Sequence, residues 1–428
     1  MISDVAMVKV YSTDHPKYAM ATLISLCLNL FFQLMFVVLQ NAKRGARVLL
    51  REVLFVLTFV KPGVDVYRVV TTQEDAANKM ISAQNEMLFF KGVELTMECI
   101  PSAVIQSMAF IAGSHSIVAI FSLASSILTA AFISASIGIE KDVSTNARKY
   151  SPGFYGLVNL KSKRQAVVVC MLVLLMSACQ LASKSFAVAL CNVESSTILA
   201  AYLSIDMGLV LTYKMARGDF RYFLPIESEA VSGIVSLLAR LVTKISLDFT
   251  GTIQLRHPFE YGGIYFTLVL LTTPLVSLYF GSRYLSFIED EEVKATLDYV
   301  FSSDEIYGGL GCLAAVQLFS FALLMSIIPP EIRKTFLSAK TASQFTCENF
   351  ESAKNSSAKM DVFLVHPSYS SPIEEELKAW LNERLVELLE EEPDWFNDTV
   401  KAKIPDDFVT DPAMLLRIRT PSPTHREI

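Results

Sequence analysis

The sequence predicts an all-α fold: a polytopic membrane helical bundle of about seven spanning helices, a half-length re-entrant segment and an interfacial amphipathic helix. Three observations carry this. Hydrophobic residues make up 52% of the 428 positions and charged residues only 19%, against roughly 25% charged in soluble domains. Apolar runs of ~20 residues, enough to cross a bilayer at 1.5 Å per residue, recur down to Pro330. The connections between them then sort by charge, as loops on opposite sides of a membrane do.

The first span is Tyr18–Leu39, with Asn29 and Gln33 inside it. Lys43, Arg44, Arg47 and Arg51 follow as a basic cluster. Leu49–Val60 is about a dozen residues long, contains Glu52 and ends at Lys61-Pro62-Gly63. That is too short to span and reads as re-entrant. After a polar stretch holding Asp65 and Arg68 comes the pair of spans 87–113 and 116–139, joined by a turn at His115. The second member carries no charge, and its Ala124, Ser125, Ser126, Ala130, Ser134, Ala135 and Ser136 permit close helix packing. A basic loop at 140–165 leads to Ala166–Leu190, with Gln180 and Lys184, and then to Thr197–Tyr213, with Asp206. In the polar connection 214–262, Val231, Ile234, Val235, Leu238, Val242 and Ile245 recur at helical spacing. Arg240, Lys244 and Asp248 line the other face in steps of four, which predicts an amphipathic helix on the membrane or against the bundle. Gly263–Leu285 spans with Pro274 inside, an acidic loop follows at 286–305, and Ile306–Ile328, with Gln317, is the last span.

Excess Lys/Arg marks cytosolic loops. The basic loops 140–165 and 214–262 are therefore expected inside, and the turns at His115 and 191–195 and the acidic loop outside. Both flanks of Leu49–Val60 then fall inside, as a non-spanning segment requires. The amino terminus is expected outside and the carboxyl terminus inside; a helix upstream of Met1 would reverse the former. The first span is expected to act as the insertion signal. The membrane domain is expected over 1–330 and an acidic cytosolic tail over 331–428, which holds 12 Lys/Arg and 18 Asp/Glu and so carries the whole net charge of −6. Residues 331–360 read as linker. Leu377, Trp380, Leu381, Arg384 and Leu388 form a stripe on a helix over Ile373–Glu391. With Trp395, Trp380 marks a docking element, either for the bundle itself or for a protein partner.

The composition excludes a basic nucleic-acid-binding domain. The seven cysteines lack paired spacing and read as small buried hydrophobes, and the five histidines are isolated. No nucleophile elbow, phosphate loop or zinc motif is present, so no enzyme, metal or cofactor is expected. The residues that demand explanation are intramembrane charges, which cost ~2.5–3.5 kcal/mol each at mid-membrane and usually face protein or water. Lys91, Glu94 and Glu98 share a helical face that Ser102 and Gln106 continue past Pro101. Lys91 and Glu94 have ion-pair spacing. Glu98 lies deeper, beside the turn opened by Pro101. With Asp206 and Lys184, and with Asn29, Gln33, Gln180 and Gln317, these residues form a candidate polar track for a lipid headgroup or an ion. Each also has a plainer reading as a helix-to-helix hydrogen bond.

The run Glu98-Cys-Ile-Pro101-Ser-Ala-Val-Ile-Gln106 resembles the E-x-x-P-Q-x-x-x-Q signature of XK-related membrane proteins, with Ser102 in place of its glutamine. The serine-rich helix after it and the polar first span followed by a half-length segment are similar too. The resemblance covers residues 1–140. It implies a helical membrane fold with half-inserted segments and, in some members, phospholipid scrambling; Glu98, Pro101 and Gln106 are the matching positions. Three functions stand open on the sequence: lipid movement between leaflets, a receptor or scaffold acting through its tail, and an ion channel or carrier. Membrane lipids are the expected partners, with a tail-bound protein as a second.

Overall fold

The computed structural model describes residues 2–345, apart from 42–43, 72–82, 113–116, 145–146, 149–150, 152, 160, 221–228, 289–302 and 343. Trp380, Trp395 and the helix expected over Ile373–Glu391 lie outside the described residues, as do the turn at His115 and the acidic run 289–292.

The described residues form helices and connections, with no strand among them. In order they are α1 (Ile2–Asp14), α2 (Pro16–Asn41), α3 (Ala46–Leu57), α4 (Lys61–Val70), α5 (Ala83–Glu94), a π-turn (Leu95–Cys99), α6 (Ile100–Ile111) and α7 (Ile117–Val143). Then come α8 (Lys163–Glu194), α9 (Ser196–Ala216), α10 (Glu229–Thr250), a 3₁₀ turn (Ile253–Arg256), α11 (Gly263–Ile288), α12 (Ser303–Ile327) and α13 (Pro330–Thr335). Among the described residues seven helices are long and apolar enough to cross a membrane: α2, α7, α8, α9, α10, α11 and α12. The chain is an integral, multi-pass, all-α membrane protein.

These seven differ from the expected seven in two places. The stretch expected as the span 87–113 is helical from Ala83 to Ile111, but a π-turn divides it at the charged residues. The amphipathic helix expected on the membrane or against the bundle is the 22-residue α10, and it packs against the bundle by its charged face. Arg240 and Lys244 are buried at 2% and 1% exposure, while Val231, Ile234 and Leu238 are exposed. The exposed apolar residues all precede Arg240, while from residue 241 to the helix end at Thr250 every side chain is buried or half-buried.

The course of α10 shows how it inserts. Midway along it, Arg240 Nη2 donates to Asp219 O at 2.8 Å, just beyond the end of α9. Near its end, Gln180 Nε2 donates to Asp248 O at 2.8 Å, and Gln180 lies about 25 Å along α8 from Lys163, near mid-bilayer. The chain then turns at Gly251, whose φ of +54° favours glycine. By Arg256 it is back at the first face, where Nη2 donates to Phe154 O at 2.9 Å. The helix therefore enters and leaves on one side, even though its length would allow it to span.

A second half-length device is the α3–α4 hairpin. Phe59, with φ of 59°, reverses the chain, and α4 runs back along α3 so that Arg68 reaches Glu52 at 2.5 Å. Here too the charges point inward, with Leu50, Leu54 and Tyr67 outward. The central helix is α8, which packs against α6, α7, α9, α10, α11 and α12. Its Ser177, Ser183, Ser185, Ala187 and Ala189 are all buried; in lipid, small side chains let helices approach closely and gain dispersion contacts.

Residues 331–345, expected as linker, pack back onto the bundle. Phe336 is fully buried, Thr267 Oγ1 donates to Phe336 O at 2.7 Å, and Ile264 N donates to Ser338 O at 3.1 Å. Gly263 makes this approach possible, since a Cβ there would sit 1.7 Å from Thr335 O.

Candidate functional site

Two polar constellations occupy the interior of the bundle. The first surrounds Glu98, which the π-turn carries on the inner face at 2% exposure. π-turns are rare insertions within α-helices and concentrate at functional sites. Pro101 has no N–H to offer the carbonyl four residues back, Met97. Ser25 Oγ from α2 donates to Met97 O instead, at 2.6 Å. Asn29 Nδ2, one turn along α2, donates to Glu98 Oε2, and Gln33 Nε2 donates to Asn29 Oδ1 at 2.9 Å. The same face runs on through α6, where Gln106 Nε2 donates to Ser102 Oγ at 2.9 Å and Ser126 Oγ donates to Gln106 Oε1 at 3.3 Å. Glu94 is half-buried one turn before Glu98. Lys91 does not pair with Glu94, as the spacing had suggested, but forms its ion pair with Glu140 near the end of α7. A partner on a neighbouring helix ties two elements together, which a pair within one turn cannot do.

The second constellation is a network of two lysines and two aspartates. Lys244 Nζ lies 2.5 Å from Asp248 Oδ1 and 3.2 Å from Asp206 Oδ1. Lys184 Nζ lies 3.7 Å from Asp206 Oδ2 and donates to the hydroxyl of Tyr202 at 2.6 Å. The formal charge sums to zero across α8, α9 and α10. A relay of amides lies beneath it: Gln180 Nε2 donates to Thr273 Oγ1 at 2.8 Å, and Gln317 Nε2 to Gln180 Oε1 at 2.6 Å. Lys184, Lys244 and Asp248 are buried, but the Asp206 side chain is 29% exposed. It projects from α9, of which only Val210 and Lys214 are buried. The network is therefore buried except at Asp206.

Sequence reasoning joined Lys184 and Asp206 to the Glu98 face in one track. The structure separates them by an apolar layer of Leu95, Cys99, Leu181, Ile245 and Phe249. It joins Lys184 and Asp206 instead to Lys244 and Asp248. Arg240 stands apart at the membrane face, with Nη1 3.1 Å from Glu260 Oε2. A constellation that sequence reasoning missed lies at the α3–α4 hairpin. There Lys61 Nζ lies 2.6 Å from both Asp65 Oδ1 and Glu86 Oε1, and 3.3 Å from Glu52 Oε2. Its one sequence signal was the four-residue spacing of Lys61 and Asp65.

At the face to which α10 returns, His257 is buried beside Phe154, Phe259 and Phe345. Phe259 N donates to its Nδ1 at 3.3 Å. The ring proton therefore sits on Nε2, which faces Ser151 Oγ at 3.1 Å. Burial, and then the charge of Arg256, hold this imidazole down at about 3, so it is neutral at physiological pH.

Among the described residues no group of His, Cys, Asp and Glu is arranged to hold a metal ion. Compared with known proteins, the chain matches no family model, no curated protein and no solved structure.

Proposed function

We propose that this membrane protein moves phospholipid headgroups between leaflets without performing covalent chemistry, and that the Lys184–Asp206–Lys244–Asp248 network is the station at mid-membrane. The observation that carries the reading is the opening at Asp206: a charged group 29% exposed at the edge of an otherwise buried, neutral four-charge network. Partial exposure of a charge in hydrocarbon is costly unless something polar reaches it. A zwitterionic headgroup carries a phosphate and an ammonium. The phosphate matches Lys184 and Lys244, and the ammonium matches Asp206. Exchanging internal pairs for these contacts leaves net charge unchanged, so passage avoids stranding a buried ion. The resemblance of Glu98, Pro101 and Gln106 to XK-related proteins supports the same reading. The Glu98 seam, sealed by Asn29 and Ser126, fixes the helices around the station.

In this reading the face carrying the basic loops is cytosolic, following the Lys/Arg excess. The test is reconstitution of the purified protein in liposomes with a fluorescent headgroup-labelled lipid. Flipping above protein-free liposomes, reduced several-fold by Asp206→Asn, is expected. Flipping equal to empty liposomes, with ion conductance that Asp206→Asn abolishes, would favour an ion pathway instead.

A further inference from the structure

A separate cleft of 920 Å³ opens at the membrane face, between the loop carrying Phe154 and the segment 331–345. Its volume lies within the range typical of small-molecule sites. Phe154 and Phe345 are apolar walls, and Lys334, Thr335 and Lys340 are polar ones. The only acid lining it, among the described residues, is Glu331. Behind the wall lies Arg256, at 1% exposure. Its guanidinium sits 4.3 Å from the ring centroid of Phe154 and 4.9 Å from that of Phe336. All its hydrogen bonds go to neutral acceptors: Ile253 O at 3.0 Å, Phe154 O at 2.9 Å and Thr335 Oγ1 at 3.3 Å. Asp142, whose charge it feels, is committed elsewhere and accepts from the backbone N–H groups of Gly156, Leu157 and Val158. A buried cation with no ion pair among the described residues is expensive. Two of its three neutral acceptors, Phe154 and Thr335, are themselves walls of the cleft. Among the described residues two cations, Lys334 and Lys340, and one carboxylate, Glu331, line the cleft, with Arg256 behind its wall.

We propose that this cleft is a binding site for a phosphate ester, with Lys334 and Lys340 at the phosphates, Arg256 supplying the field from behind Thr335, and the rings of Phe154 and Phe345 against the organic part. The chemistry is shared by soluble phosphate esters of nucleotide size and by multiply phosphorylated inositol headgroups rising from the adjoining leaflet. A bound ester would clamp 331–345 against the 151–158 loop.

The test uses the full chain in detergent, titrated with ATP in one arm and a water-soluble short-chain phosphatidylinositol bisphosphate in the other. Short-chain phosphatidylcholine serves as the control. Saturable calorimetric binding in at least one arm is expected, weakened about tenfold or more by Lys334→Gln/Lys340→Gln. Both lysines are exposed, so this variant should fold. Phe345→Ala, which keeps every cation, should weaken the same arm. Binding of ATP alone assigns a soluble ester; binding of the inositol lipid alone assigns a headgroup. The proposal is overturned if neither probe outbinds phosphatidylcholine up to about 1 mM. It is equally overturned if the lysine variant binds unchanged, or if probes bind only after removal of the tail beyond 345, which would make the tail the occupant.

Discussion

Replacing Asp248 by Asn changes almost no volume but leaves the station with two lysines and one aspartate. Asp248 Oδ1 lies 2.5 Å from Lys244 Nζ. At an effective dielectric of ~20 the Coulomb attraction at that distance is about 6–7 kcal/mol before desolvation. Truncating one partner of a buried pair typically costs 3–5 kcal/mol. Lys244 keeps Asp206 at 3.2 Å, so the lower end applies and a loss of about 3 kcal/mol is expected. Equilibrium unfolding in mixed micelles measures it. The double change Lys244→Met/Asp248→Leu removes both charges and should recover most of the loss, because apolar residues of similar volume replace buried pairs at little cost. A loss under about 1 kcal/mol for Asp248→Asn, or a double variant at least as unstable as the single one, would refute the view that this network is buried and paired.

Gly263→Ala places a methyl 1.7 Å from Thr335 O; overpacking against backbone costs ~1–3 kcal/mol or more. Limited proteolysis should show the 331–345 segment released in that variant. His257 is held at about 3 in the folded protein against an ordinary 6.5, so below pH 6.5 the unfolded chain binds the proton first. Stability should fall by ~1.4 kcal/mol per pH unit from 6.5 down toward 3. Thermal unfolding at pH 7 and pH 5 checks this, and His257→Gln should flatten the difference. Ser25→Ala leaves Met97 O without its hydroxyl donor beside Pro101, a loss of ~1–3 kcal/mol readable in the same micelle unfolding assay.

The helical membrane class was legible because hydropathy and loop charge act over whole segments. Length alone marked 49–60 as unable to span, and α3 with α4 is a half-length hairpin. Other features turned on contacts that distant segments make. Lys91 chose Glu140, 49 residues away, over Glu94 one turn along. The amphipathic pattern of α10 gave its period correctly, yet a period does not say whether water or protein meets the charged face. Here Asp206 and Asp248 pair with the buried Lys244, and Val231, Ile234 and Leu238 are left exposed. The grouping of Lys184 and Asp206 was likewise invisible, since nothing local says that Leu181 and Phe249 stand between them and Glu98. Ser102 and Gln106 at four-residue spacing, by contrast, were read directly, because a helix makes such pairs neighbours.

The most direct test of the central claim is aqueous access at Asp206. In a cysteine-free background, Asp206→Cys is reconstituted and exposed to a membrane-impermeant, charged methanethiosulfonate reagent, with Leu209→Cys as the control. Leu209 is 66% exposed one turn further along the same helix, with no charged group of the network at its position. The account predicts modification of the thiol introduced at 206 and none at 209. A thiol at 206 as inert as the one at 209 would contradict an opening through which a headgroup reaches the network.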